Sequence, residues 1–221
     1  MRYPGGKGKT YQQIINLLPP HNTYIETHLG GGAVLRHKKP APKSVAIDRD
    51  PAVIERWLHG FPSLASYIQA DALEFLSSNH FRGDEVVYCD PPYLPSTRRR
   101  TRVYRFDYDS NDHERLLKVL RGLPCRIVIS GYPSQLYDVR LHDWNAHTFP
   151  AKSHCGMRLE KLWFNFDPPK QLHDPRYLGN DFRQRQTYRR RMDRLRRRIV
   201  SLSSPEQHFL WEWLADHLSG G

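Results

Sequence analysis

Through the first three quarters of the chain, apolar residues come in short runs, each stopped by a polar or glycine-rich corner. Tyr24-Ile25-Glu26, Ser44-Val45-Ala46-Ile47, Glu85-Val86-Val87-Tyr88-Cys89 and Arg126-Ile127-Val128-Ile129-Ser130 are too short for helices, and their continuity predicts buried strands. Between them, Ala33-Val34-Leu35-Arg36 reads as a helix start, and Asp112 to Leu120 as a helix with Asn111 or Asp112 at its N-cap. Strands alternating with helices predict an α/β sheet. Beyond Asp167-Pro168-Pro169 the pattern changes, which sets a domain boundary between 1–168 and 169–221. From Phe182 onward Tyr188, Met192, Leu195, Ile199 and Leu202 recur at intervals of four and three, a narrow apolar seam expected to be core. Ser203-Ser204 interrupts it, and Ser204, Pro205 and Gln207 read as a capping box for a second helix with Phe209, Leu210, Trp213, Leu214 and Leu218 on its apolar side. The two helices are expected to pack as a hairpin on the first domain or to pair with another subunit.

Charge sharpens this division. The formal net is +11, of which residues 94–109 carry +3 and residues 181–198 carry +7, so the rest of the chain is almost neutral. Both clusters are arginine-dominated, and guanidinium forks bind phosphate oxygens bidentately, so a polyphosphate partner is expected. The candidates are Arg98, Arg99, Arg100, Arg102 and Arg105 in the first segment, and Arg189, Arg190, Arg194 and Arg197 in the second. The first segment interleaves Tyr104, Phe106 and Tyr108 with its cations and shows no clean period, which predicts a mobile loop; the alternative is that its aromatics pin a strand to the core. Hydrophobic content of 38% implies a modest core with large polar segments. Cys89, Cys125 and Cys155 form neither a CxxC pair nor a disulfide framework, and twelve histidines show no metal-ligand spacing, so a reducing cytoplasm and no metal are expected. No signal peptide or membrane span is read.

Three corners carry candidate chemistry. Asp90-Pro91-Pro92-Tyr93 follows the Glu85–Cys89 run at once, and two prolines leave a carbonyl that no neighbouring N–H reclaims. A carboxylate, a free carbonyl and an aromatic face suit a flat base with an exocyclic amine: Asp90 and the Pro91 oxygen each take one amine hydrogen, and Tyr93 stacks. Thr27-His28-Leu29-Gly30-Gly31-Gly32 lies between a strand and a helix start, where a ligand approaches backbone closely. Asp48 ends the next strand, about 20 residues on, where a doubly wound nucleotide site needs an acid for ribose hydroxyls.

Arg2-Tyr3-Pro4-Gly5-Gly6-Lys7, the turn from Glu26 to Gly32 and Asp90 to Tyr93, in this order, resemble the DNA adenine-N6 methyltransferases of the Dam family (D12 class), and Glu160 to Phe166 is similar to the family's closing strand. The resemblance covers about residues 2–166. It implies an α/β, Rossmann-like S-adenosylmethionine-dependent methyltransferase with a mixed seven-stranded sheet and a small α-helical C-terminal extension. It implies cofactor contacts for Tyr3, Gly6, Lys7, Glu26, Gly30, Gly32, Asp48, Asp71 and Asp90, and a flipped adenine at Asp90, Pro91, Pro92 and Tyr93. The expected partner is duplex DNA, with a bacterial or phage origin, a link to restriction-modification among the family's roles, and a monomer or a homodimer through the C-terminal helices. Thr27 and Gly131 depart from the family's usual proline and asparagine. Only 58 positions separate Gly32 from Asp90, which leaves no room for the target-recognition domain that sequence-specific relatives carry there, so relaxed specificity is expected. An RNA adenine methyltransferase or a non-catalytic nucleic-acid-binding protein on the same fold are the alternatives.

Overall fold

The computed structural model describes residues 7–8, 10–98, 105–153 and 156–218. Tyr3, Gly6, Arg99, Arg100, Arg102 and Cys155 lie outside the described residues. Seven strands form one sheet: β1 (Thr23–Glu26), β2 (Lys43–Asp48), β3 (Ser66–Gln69), β4 (Glu85–Cys89), β5 (Arg126–Gly131), β6 (Asn145–Ser153) and β7 (Gly156–Phe164). Their order is β3-β2-β1-β4-β5-β7-β6. The first five run parallel; β7 is antiparallel to β5, and β6 to β7. The chain steps outward from β1 to β3 and then returns to place β4 on the other side of β1, so the strand order reverses between β1 and β4. In open α/β sheets the ligand crevice lies beyond the carboxyl ends of the strands at such a reversal.

The helices are α1 (Tyr11–Ile15), α2 (Ala33–His37), α3 (Pro51–Gly60), α4 (Ala72–Ser78), α5 (Ser110–Gly122) and α6 (Gln135–Arg140). All five residues of β4 are buried, as a central parallel strand covered on both faces requires. Ile47, Val87, Cys89, Leu116, Leu117, Leu120, Ile127, Ile129 and Trp163 form a shared core with α4, α5 and α6. α5 begins earlier than the sequence predicted: Asp109 is its N-cap, accepting the Asp112 N–H at 2.8 Å while the Asp112 carboxylate accepts the Asp109 N–H at 3.2 Å. This reciprocal box satisfies two otherwise orphan donors, which a cap at Asn111 or Asp112 would leave open.

The polar run Asn145–Ser153 gave no strand signal, yet it forms edge strand β6. Pro150 sits within it because an edge strand has one side without ladder bonds. β5 pairs only as far as Gly131 opposite Lys161, whereas β6 and β7 stay paired out to Ser153 opposite Gly156. The hairpin therefore overhangs the carboxyl edge of the sheet and carries Arg158 and Glu160 toward the crevice.

Compactness divides the chain after Asp174. The second unit holds α7 (Phe182–Val200), N-capped by Asp181 through the Gln184 N–H, and α8 (Ser204–Leu218). The apolar seam is not core: no residue of α7 is buried, and Leu195 is 47% exposed. Charge explains this, because nine arginines on nineteen residues leave the seam too narrow to be covered without desolvating its flanks. The start of α8 also differs from the reading of Ser204 and Gln207. Ser203 and Glu206 make the contact, with Glu206 Oε2 accepting from the Ser203 N–H at 2.7 Å, while Gln207 Nε2 donates back to the Leu202 and Ile199 carbonyls.

Candidate active site

At the strand-order reversal, the chain leaving β1 turns through Leu29-Gly30-Gly31-Gly32 into α2. Gly30 and Gly32 have positive φ, 45° and 51°, the left-handed conformation that glycine adopts without steric cost. A Cβ at Gly32 would collide with the ring of Trp57 from α3 and with the Leu29 side chain. The turn is clamped from both sides. Asp48 Oδ2 accepts the Gly30 N–H at 2.8 Å, and the Gly30 carbonyl accepts Trp57 Nε1–H at 3.0 Å. Asp48 Oδ1 accepts the Asp50 N–H at 2.9 Å, so the carboxylate is aimed by two backbone donors and keeps lone pairs for a ligand.

Beneath the turn, Glu26 ends β1 with 2% exposure. Its Oε2 accepts the Tyr24 hydroxyl at 2.8 Å and the Leu35 N–H at 3.1 Å. Burial pushes its pKa up to about 8, against the lowering by these donors. A carboxyl whose folded pKa exceeds its unfolded value of about 4.3 adds stability that is complete below the unfolded pKa and is lost as pH rises through the folded one. Glu26→Gln keeps an acceptor for both donors and removes the titration. Its melting temperature is expected to fall less than that of the wild type between pH 5 and pH 8; parallel melting curves would show that Glu26 does not govern this window.

Beside β1, β4 ends in Asp90-Pro91-Pro92-Tyr93. Asp90 Oδ1 accepts Lys7 Nζ–H at 2.7 Å and Ser130 Oγ–H at 2.7 Å, the serine from the end of β5. Ser130 Oγ in turn lies 3.1 Å from the Tyr88 hydroxyl. Asp90 Oδ2 and the Pro91 carbonyl oxygen accept no hydrogen bond from the described residues. Lys7, 5% exposed, also donates to the Tyr93 hydroxyl at 2.5 Å. Burial works to lower the Lys7 pKa, but the charges of Asp90 and Glu160 outweigh it and hold the ammonium above the ordinary lysine range. The Tyr93 ring meets Tyr132 edge-on, with centroids 4.5 Å apart.

These corners face one open cleft with a cavity volume of about 80 Å³, lined by Lys7, Glu26, Gly30, Gly32, Asp48, Asp90 and Pro92 among others, Pro91 and Tyr93 lying outside the lining. Its outer wall is the segment after Tyr93: Phe106, Tyr108 and Arg105 line the cleft, and Tyr108, 5% exposed, lies 3.2 Å by its hydroxyl from His28 Nε2. Arg98 is bound to Asp107 at 2.8 Å with only 6% of its side chain exposed, so it ties the segment together rather than facing solvent. The described part of this stretch forms no strand: Tyr108 is buried in the core and the Arg98–Asp107 pair joins the two described ends. Asp71 lies outside the cleft lining; its carboxylate caps α4 through the Leu73 and Glu74 N–H groups. Arg189, Arg190, Arg194 and Arg197 are exposed on α7.

Cys89 is fully buried, and burial pushes its thiol up to about 12, so it is a core residue and not a nucleophile. The sequence puts Ser130 at the ligand end of its strand and gives it no role, yet the end of β5 abuts the end of β4 and brings its hydroxyl to Asp90. The edge strand β6 carries no apolar run, so the sequence does not mark it.

Residues 62–143 match the family model of D12 class N6 adenine-specific DNA methyltransferases. None of the curated proteins matches the sequence. Solved structures similar to this chain include TrmK of M. capricolum in complex with S-adenosyl-homocysteine, at 11% identity over 91% of this chain and 91% of that one, with a TM-score of 0.48. Others are a precorrin 8W decarboxylase of Methanobacterium thermoautotrophicum (14% identity, 74% and 93% coverage, TM-score 0.48) and an rRNA methylase of Streptococcus thermophilus (13%, 70% and 93%, 0.47). The switch-point cleft and the mixed seven-stranded sheet define a Rossmann-like α/β architecture, and over residues 62–143 the chain is similar to the D12 class methyltransferases. The resemblance to the D12 adenine-N6 enzymes holds over the matched residues, which include Asp90 to Tyr93. No helix among the described residues is long and apolar enough to cross a membrane.

Proposed function

We propose that the protein methylates the N6 amine of adenine in DNA, on a base turned out of the duplex, with relaxed or no sequence specificity. The observation that carries this reading is the Asp90 corner. Oδ1 is fixed by Lys7 and Ser130, and among the described residues nothing donates to Oδ2 or to the Pro91 oxygen, which keeps both as acceptors at the end of β4. An exocyclic amine offers two N–H donors and shares its lone pair with the ring. Two acceptors that hold both hydrogens favour the pyramidal nitrogen and aim the lone pair into the cleft. Asp90 stays the acceptor throughout, and the proton that leaves nitrogen passes to it or to water.

The residues that line the cleft suit the methyl donor. Left-handed Gly30 and Gly32 keep its floor clear of side chains, and Asp48 stands where ribose hydroxyls would lie. S-Adenosylmethionine, when bound, supplies a methyl group on an electron-poor sulfur, and Asp48 and Asp90 give the cleft carboxylates to set against that charge. Relaxed specificity follows from the short span between Gly32 and Asp90, which is filled by α2, β2, α3, β3, α4 and β4 with only short connections.

Incubating the protein with labelled donor and duplex DNA, single-stranded DNA or RNA tests the substrate class: label is expected in duplex DNA, at adenines scattered through a random-sequence pool. Label in RNA alone would replace the DNA reading, and label confined to one short motif would end the claim of relaxed specificity. The arginines are separable by the same reasoning. Arg105, 67% exposed, is expected to contact phosphate, so Arg105→Ala should lower the salt slope of DNA binding by about one. Arg98→Ala should leave that slope unchanged and lower the melting temperature, because it removes a buried ion pair. Equal slopes in both variants would remove Arg105 from the interface.

A further inference from the structure

We propose that Thr27 and His28, at the head of the glycine turn, are positioning residues for the methyl donor: through one hydrogen bond they hold the Tyr108 wall of the cleft in place, so that the donor enters a site already shaped. The inference rests on the reading of this cleft as the donor site.

His28 and Tyr108 both line the cleft but come from different corners, His28 from the turn after β1 and Tyr108 from the segment after β4. The Tyr108 hydroxyl lies 3.2 Å from His28 Nε2, and the two rings meet edge-on with centroids 5.5 Å apart. On the other side of the imidazole, Nδ1 lies 2.9 Å from Thr27 Oγ1. The inner end of this series of contacts fixes where its protons sit. The Thr27 hydroxyl donates into the core, to Cys89 Sγ at 3.1 Å with the Tyr88 carbonyl at 3.5 Å, and it has one hydrogen to give. Thr27 Oγ1 therefore accepts from His28 Nδ1–H, which leaves Nε2 bare to accept the Tyr108 O–H. Burial agrees with this, pushing the imidazole pKa down to about 3 and so keeping the ring neutral. Thr27 stands where the D12 enzymes usually carry proline. A proline could supply neither this hydroxyl nor the N–H that Thr27 gives to the Tyr88 carbonyl at 3.1 Å.

Magnitudes pick this bond out among the contacts of the wall. Arg105 reaches Asp50, the N-cap of α3, at 3.5 Å, and Arg49 lies over the Phe106 ring at 5.3 Å. Arg105 is 67% exposed, and an ion pair so open to water contributes little. Tyr108 is 5% exposed, and a hydroxyl buried that deeply is costly to leave without a partner. The His28 bond therefore decides where Tyr108 sits. A wall fixed beforehand spares the donor the cost of ordering it, and a loosened wall returns that cost to the affinity.

The test titrates S-adenosylmethionine by calorimetry into the full chain as wild type, His28→Phe, Tyr108→Phe and the double variant, with thermal melts of each donor-free protein. Each phenylalanine keeps a ring and removes one end of the bond. Each single variant is expected to bind the donor about fivefold more weakly, the scale of one hydrogen bond. The double variant should also lose about fivefold rather than about 25-fold, because both residues act through the same contact. His28→Gln, whose amide oxygen can stand about where Nε2 does, is expected within about twofold of wild type. Melting temperatures that fall while donor affinity stays at the wild-type value would overturn the inference, because that pattern marks residues of the scaffold. So would losses that multiply in the double variant. A wild type that binds no S-adenosylmethionine removes the donor-site reading itself, an outcome that the wild-type titration alone reports.

Discussion

Replacing Asp90 with asparagine is expected to lower methyl transfer by about 10³-fold while leaving affinity for the methyl donor and for DNA nearly intact. The substitution keeps the shape of the corner and an oxygen for Ser130 and Lys7. It puts an NH₂ group where Oδ2 now stands, so a donor would face the N–H of the substrate amine. Both the charge that offsets developing positive charge on nitrogen and one of the two amine acceptors are lost together. Asp90→Ala should be at least as inactive, with an added cost of about 3–5 kcal/mol because the buried Lys7 ammonium loses its nearest counter-ion. Single-turnover transfer with saturating donor, paired with calorimetry, separates chemistry from binding. An Asp90→Asn enzyme keeping a tenth of wild-type turnover would refute the role given to the carboxylate.

Gly32→Ala is expected to be nearly as damaging, for a steric reason. At φ +51° an alanine pays about 1–2 kcal/mol for the left-handed conformation. Its Cβ would also overlap the Trp57 ring, and overpacking costs about 1–3 kcal/mol more. Trp57 cannot withdraw freely, since its Nε1–H is bonded to the Gly30 carbonyl. The collision therefore moves the glycine turn itself, and donor affinity should fall with stability. Gly131→Ala provides the control: its Cβ would stand 3.4 Å from Trp163, an ordinary contact, and should be tolerated. Donor titration and thermal melts of both variants check this, and equal behaviour of the two would show that the glycine turn does not shape the donor site.

The parts of the fold that were legible in the sequence were those whose residues carry their own constraint. Continuous apolar runs fixed β2, β4 and β5, because central strands covered on both faces cannot alternate. Glycine at left-handed positions and two prolines after an acid marked the cleft corners, because few other residues satisfy that backbone. What stayed hidden depended on partners distant in sequence. β6 is stabilised by pairing with β7 rather than by its own polar residues, and the commitment of Arg98 to Asp107 cannot be seen in a run of arginines. The seam on α7 misled for the opposite reason: its period was right, but the surrounding charge kept it uncovered.

The most direct measurement is the identity of the methylated nucleoside. Duplex DNA treated with the protein and isotopically labelled S-adenosylmethionine, digested and resolved by mass spectrometry, should yield labelled N6-methyldeoxyadenosine, and none with Asp90→Asn. Label on a ring nitrogen or on cytosine, or an unchanged yield from Asp90→Asn, would contradict the claim that two free oxygens at the end of β4 grip the adenine amine.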